Sequence, residues 1–165
     1  MKKYFLLLSL FAVTLTSCLK NNSDVQPTDS TVVVDPVKQA AADSVLISAY
    51  LTANPTIKAK KDTASGLYYQ ILTPGTGTNP TVNSTVTVSY TGSLLNGTQF
   101  GSGTGFTTLL SGLIPAWQIG VPLIKTGGSI LLIAPSRLGY GNTSPAASIP
   151  ANSVLVFTIN LTSFN

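Results

Sequence analysis

Two stretches of this chain carry apolar residues at every second position. In residues 85–91 the apolar set is Val86, Val88 and Tyr90, with Thr87, Ser89 and Thr91 opposite. In residues 154–161 it is Leu155, Phe157, Ile159 and Leu161. A period of two puts each set on one face of a β-strand. A sheet with one apolar face must bury it against another element. One cover is available: residues 115–123 read as a short helix carrying Trp117, ended by Gly127-Gly128. Further strands are expected at 67–72, broken by Pro74-Gly75-Thr76-Gly77, at 106–110, and in the apolar run 130–134. Asn96-Gly97 is a strong hairpin turn. The expected fold class is α+β: an antiparallel sheet forming a half-barrel around a short central helix.

Charge is scarce. Only 8% of the 165 residues are charged, against about 25% in an average protein. Thr, Ser, Asn and Gly supply the polarity, which suits a turn-rich β surface. There is no His, no Glu, one Arg and one Cys. A hydrolase built on a His base is therefore excluded, as is an internal disulfide or a multi-Cys metal site. No cofactor and no metal are expected. The Lys residues are scattered apart from Lys58, Lys60 and Lys61, which read as a solvated loop, so nucleic acid is not an expected partner.

The first residues read as an address. Met1-Lys2-Lys3 is a positive start, and residues 4–15 are an apolar run of secretory-signal length. That run is short of the roughly 20 residues a transmembrane helix needs. It ends in Leu15-Thr16-Ser17-Cys18, which resembles a bacterial lipobox. Cys18 is then the expected lipidation site, with residues 1–17 removed as a signal peptide. The plainer alternative is a secretory signal followed by a stray Cys. Without Lys2 and Lys3, seven basic residues face five acidic ones. Residues 18–34 are rich in Asn, Ser, Thr, Asp and Val without period and read as a flexible tether. A lipidated chain would be anchored to a membrane rather than span it. The expected location is the cell envelope, on a bacterial outer membrane facing the periplasm.

Residues 35–64 read as a helical extension and linker, and 65–165 as the main domain. Asp35-Pro36 is a helix start, a capping carboxylate followed by Pro at the first helical position. Asn54-Pro55 is a stop, because the residue before Pro disfavours the helical region. Between them Leu46/Tyr50 and Ile47/Leu51 are pairs four apart. Such a helix needs an apolar partner. Either it packs on the outside of its own domain or it joins a second copy as a homodimer.

A set of bulky residues follows in the second half. Tyr90 sits in V-S-Y-T-G and Phe100 follows Asn96-Gly97. Trp117 closes L-I-P-A-W, Tyr140 centres G-Y-G, Ile149 lies in S-I-P-A and Phe157 in L-V-F-T-I-N-L. In this order, tied to Gly and Pro turns, they resemble the pocket of the FKBP-type peptidyl-prolyl cis-trans isomerases, over roughly residues 66–164. The resemblance implies catalytic roles for Tyr90, Phe100, Trp117, Tyr140 and Phe157, with Phe106, Leu113, Ile114 and Ile149 binding substrate. Trp117 would be the floor, and Tyr90, Phe106 and Phe157 aromatic walls. Leu113 and Ile114 would border the site, the Ile114 N–H offered to a bound carbonyl. Tyr140 would aim its hydroxyl at the substrate. The implied partners are proline-containing unfolded or exported polypeptides. Core packing would explain Tyr90, Trp117 or Phe157 singly as well. Tyr140 and Ile149 are different, because they lie in the Gly/Pro/Ser/Ala-rich loop 139–150, where a bulky residue needs something to touch.

The chain departs from the family pattern in places. Gly101 follows Phe100 where the family usually has Asp, an acid that makes polar contacts at the pocket edge. Residues 101–105 read as a short Gly-rich loop. Thr108 stands where an aromatic is common, and Gly139 where Ala is common. The alternative reading is accordingly a weak or inactive member of the fold that acts as a membrane-anchored chaperone or binding module.

Overall fold

The computed structural model describes residues 35–165. The signal peptide, Cys18 and the tether expected at 18–34 lie outside the described residues.

Helix α1 (Pro36–Ala53) starts where Asp35 and Pro36 place it, with the Asp35 carboxylate accepting the Val37 N–H at 2.9 Å. At its other end the Asn54 side-chain amide donates to the Tyr50 carbonyl at 2.8 Å. Six strands follow: β1 (Lys60–Lys61), β2 (Tyr68–Thr73), β3 (Thr85–Leu94), β4 (Gln99–Leu109), β5 (Ser129–Ala134) and β6 (Leu155–Phe164). Helix α2 (Pro115–Gly120) lies between β4 and β5 and runs on as a 3₁₀ turn, Val121–Leu123, at Pro122. Pro122 has no N–H to continue an α-helical ladder. The sheet order is β1-β2-β5-β6-β3-β4, and every neighbouring pair is antiparallel.

The two faces of the sheet are covered differently. Val86 and Val88 of β3, Ile130 and Leu132 of β5, and Leu155, Phe157 and Ile159 of β6 pack with Ala116 and Trp117 of α2. On the opposite face Leu131, Ile133, Val154 and Val156 pack against Ile47 of α1. Strand β5 is thus apolar from Ile130 to Ala134 because it is covered from both sides. In β6 the polar half of the alternation returns at Thr158 and Asn160, which belong to neither cluster. Helix α1 therefore lies on its own domain. Ile47 is fully buried and Tyr50 and Leu51 partly so, whereas Leu46 is turned outward, half exposed.

Two local expectations are corrected. Residues 101–105 are strand rather than loop, and β4 begins at Gln99, well ahead of Phe106. Pairing with β3 holds this Gly-rich segment extended through Gly92↔Gly101, Thr91↔Ser102 and Tyr90↔Gly103. Gly and Ser carry little strand propensity, so the neighbour supplies what the sequence lacks. The register then shifts between Val88 and Tyr90, and Gly105 takes a φ of 66°, a bulge that only Gly enters cheaply. The second correction concerns Lys60 and Lys61, which form edge strand β1 instead of a loop. Their ammonium groups stand 5.0 and 5.5 Å over the Tyr69 and Tyr68 rings. The sheet consequently starts at Lys60, ahead of the boundary expected at residue 65.

The turn from β1 to β2 is held by Asp62, whose carboxylate accepts the Ser65 N–H at 2.8 Å and the Ser65 hydroxyl. The Ser65 hydroxyl, then the Ser65 N–H, hold this carboxyl below the ordinary carboxylate value. A lowered folded-state value means the turn is favoured while Asp62 is ionised. Its contribution is complete above the unfolded carboxyl's pKa and drains away as pH falls through the folded one. The expected result is that the Asp62 carboxyl carbon titrates at lower pH in the folded protein than in urea, and that Ser65→Ala moves it upward in a carbon-detected NMR titration.

Candidate active site

All nine residues expected at the site line one cleft of about 290 Å³, together with Gly101. Tyr90 comes from β3, Phe100 and Phe106 from β4, and Phe157 from β6. Leu113 and Ile114 precede α2, which contributes Trp117, and Tyr140 and Ile149 come from the loop between β5 and β6. The sheet and its one inner helix thus bring together residues far apart in the chain.

Five rings form a continuous edge-to-face chain. Phe106 packs on Tyr90 at 5.9 Å, Tyr90 on Trp117 at 5.2 Å, Trp117 on Phe157 at 5.6 Å, and Phe157 on Phe100 at 5.6 Å. Their interplanar angles run from 64° to 84°, the geometry ring quadrupoles favour. Each ring fixes the next, so the wall is rigid without polar links. Trp117 and Phe157 are buried at its base, while Phe106 and Tyr140 are 40% and 38% exposed at the rim.

The loop carrying Tyr140 and Ile149 is ordered by its own small polar residues. The Ser144 hydroxyl donates to the carbonyls of Ala146 and Ile149 at 3.0 and 2.8 Å, and the Ile149 N–H donates to Ala146 at 2.9 Å. These bonds turn the chain so that Ile149 is buried against the core although its neighbours are exposed.

Nothing lining the cleft carries a charge at neutral pH. What it offers is mostly apolar surface with hydrogen-bond donors, among them the Ile114 N–H and the Tyr140 hydroxyl. The Ile114 N–H stands at the mouth of α2, and no described residue accepts it. The Tyr140 hydroxyl is at the rim. Such a site can desolvate a substrate, fit its shape and hydrogen-bond a carbonyl. It offers no nucleophile of the Cys, Lys or carboxylate kind.

The sequence reading missed the residues that act by having no side chain. A Cβ on Gly92 would lie 2.6 Å from Cε2 of Phe100 and 3.0 Å from Cε1 of Phe157, so both rings sit against bare backbone. Gly103 does the same for Tyr90, whose Cε1 would be 2.8 Å from a Cβ there. A Gly inside the V-S-Y-T-G strand was the available signal, since it marks close approach. Of the departures, Thr108 does not line the cleft. At Gly139 a Cβ would stand 2.9 Å from Cδ1 of Leu155, so the loop rests close on β6.

An antiparallel sheet folded over one short helix, with an uncharged aromatic cleft at that helix's start, is the architecture of an FKBP-type isomerase domain. The chain belongs to this family: the family model of FKBP-type peptidyl-prolyl cis-trans isomerase matches residues 76–162, just over half of the sequence. It is 44% identical over 116 residues to the FKBP-type peptidyl-prolyl cis-trans isomerase FkpA of Aeromonas hydrophila, covering 68% of this chain and 43% of that one. It is 36% identical over 130 residues to the outer membrane protein MIP of Legionella longbeachae, covering 76% and 56%. The chain thus spans about half the length of these relatives. Among solved structures, FkpA from Escherichia coli superposes with a TM-score of 0.66 at 34% identity, covering 78% of this chain and 62% of the other. A peptidyl-prolyl cis-trans isomerase from Pseudomonas syringae gives 0.67 at 29% identity, covering 79% and 97%.

Proposed function

We propose that this protein is a peptidyl-prolyl cis-trans isomerase that assists the folding of exported proteins in the bacterial cell envelope. The observation that carries this reading is the chain of five rings closing an uncharged cleft beside the Ile114 N–H, which no described residue accepts. Rotation about a peptide bond costs about 18–20 kcal/mol because of the C–N double-bond character. At X–Pro both isomers are populated, yet they exchange over tens to hundreds of seconds. A dry aromatic cleft takes the prolyl ring and strips water from the amide, which weakens the charge-separated resonance form. Fitting the twisted amide better than either planar state lowers the barrier. In this reading Trp117 is the floor, Tyr90, Phe100, Phe106 and Phe157 are walls, and Leu113 and Ile149 border the ring. The Ile114 N–H and Tyr140 hydroxyl hold the flanking carbonyls. A thousandfold acceleration needs only about 4 kcal/mol of such preference.

The test is titration of a short X–Pro peptide onto the protein, followed by NMR. Shifts confined to the Trp117 indole, the Tyr140 ring and the Ile114 amide are expected, with faster refolding of a client limited by prolyl isomerisation. Binding elsewhere on the surface would overturn the assignment of the cleft.

Placement in the envelope is supported by the name of the Legionella longbeachae relative, an outer membrane protein, and by the Leu15-Thr16-Ser17-Cys18 motif. Cys18 carries the lipid in this reading, and residues 18–34 tether the domain to the outer membrane on its periplasmic side. Pairing of two copies through α1 rests on its exposed Val37, Val45 and Leu46. Sedimentation equilibrium of Val45→Ser/Leu46→Ser beside the parent chain tests it.

A second reading, a binding module that grips proline-containing segments without isomerising them, is favoured by Gly101. The cleft edge has no carboxylate there. Nothing lies within 4 Å of the place a Cβ would occupy on Gly101, so an acid fits without strain. Gly101→Asp is expected to raise kcat/KM on an X–Pro peptide by about tenfold, the effect of roughly 1.4 kcal/mol at the transition state. An unchanged value would show that the missing acid does not limit the site.

A further inference from the structure

The pocket loop is fastened to a helix that never touches the pocket. Asp43, in the third turn of α1, is 1% exposed. Its Oδ2 accepts the backbone N–H of Ser136 at 2.8 Å and the Ser136 hydroxyl at 2.7 Å. Its Oδ1 accepts the Gln39 side-chain amide at 2.7 Å, which fixes the carboxylate plane. Ser136 is equally buried. Its carbonyl accepts the N–H groups of Gly139 and Gly141 at 2.9 Å each. Those two residues bracket Tyr140. A single hydrogen-bonded relay therefore runs from α1 through Ser136 to the backbone on both sides of the cleft's rim tyrosine.

We infer that Asp43 is a positioning residue for Tyr140, so that the N-terminal helix sets the geometry of the cleft. The functional side of this inference rests on the isomerase reading. If α1 were only a cover for the outer face, Ile47 and its apolar neighbours would suffice. Burying a carboxyl group is costly unless its hydrogen bonds are met. Here two of the three come from one residue, Ser136, at the foot of the loop that carries Tyr140. Gly139 and Gly141 have no side chains, so backbone bonds set where Tyr140 stands: both N–H groups on Ser136, with the Thr143 N–H on the Tyr140 carbonyl at 3.1 Å and the Asn152 N–H on the Gly141 carbonyl at 2.7 Å. Misplacement by about 1 Å, far from the chemistry, can cost on the order of a hundredfold in rate.

The experiment uses the full chain with Asp43→Ala and Asp43→Asn, each also in a Tyr140→Ala background, and two readouts. The first is hydrogen exchange at the Gly139 and Gly141 amides, which does not depend on activity. Asp43→Ala should speed both while leaving β6 amides unchanged. Asp43→Asn, whose carbonyl can still accept from Ser136, should restore protection. The second is X–Pro exchange catalysis. Asp43→Ala should lower kcat/KM by about tenfold or more, and should cost nothing further when Tyr140 is already Ala. Unchanged amide protection at Gly139 and Gly141 would overturn the inference. So would an equal loss of activity with and without Tyr140, since that would mark a general loss of stability. If the parent chain does not catalyse exchange, the isomerase reading fails, and the amide protection alone decides the mechanical link.

Discussion

Trp117→Ala is expected to lower the stability of the domain by about 3–5 kcal/mol and to abolish catalysis. Trp117 packs edge-to-face on both Tyr90 and Phe157, so its removal cuts the five-ring chain in the middle. It is also the residue through which α2 fills the inner face of the sheet, packed among Val86, Ile130 and Phe157. A loss of this size is a third or more of the roughly 5–15 kcal/mol that holds a small domain together. Trp117→Phe keeps most of the volume and the ring, and is expected to cost much less. Urea unfolding of the three proteins measures the first effect, and exchange rates in mild buffer the second. A Trp117→Ala variant as stable as the parent would mean that α2 does not depend on the ring for its seat.

Gly92→Ala is expected to be nearly as damaging, although it adds one methyl group. That methyl would sit 2.6 and 2.8 Å from two Phe100 ring atoms and 3.0 Å from Phe157. Phe157 is pinned by Trp117 on its other side, so Phe100, at the open end of the ring chain, must yield. Overpacking of this kind costs about 1–3 kcal/mol. The functional effect is larger in proportion, because the cleft loses a wall while the core survives. A fall in kcat/KM of about tenfold or more is expected. A structure of Gly92→Ala with Phe100 in place and full activity would contradict this account of the strand's glycine.

What the sequence made legible follows from how each element announces itself. β3 and β6 are visible because each carries apolar residues at every second position. α1 is visible at both ends, because Asp35-Pro36 and Asn54-Pro55 are chemical signals for starting and stopping. β4 is invisible over residues 99–105, since Gly and Ser carry no pattern and only the pairing with β3 extends them. β1 is two residues long and exposed, so nothing distinguishes it from a loop. Which of Leu46 and Ile47 would face the sheet was not decidable from spacing, because both begin an apolar pair four apart. The cleft was legible through side chains that are present. Its tolerances, at Gly92 and Gly103, depend on side chains that are absent and on rings that arrive from elsewhere. Asp43 was hidden for the same reason: its partner Ser136 is 93 residues away, and one Asp in a helix reads as surface.

The most direct measurement is the rate of cis-to-trans exchange in a short X–Pro peptide, followed by NMR without a coupled protease, in the presence of the full chain and of its Phe157→Ala variant. The account predicts an acceleration that saturates with peptide and vanishes in Phe157→Ala while that variant remains folded. A folded protein that binds the peptide in the cleft and leaves its exchange at the uncatalysed rate would contradict it.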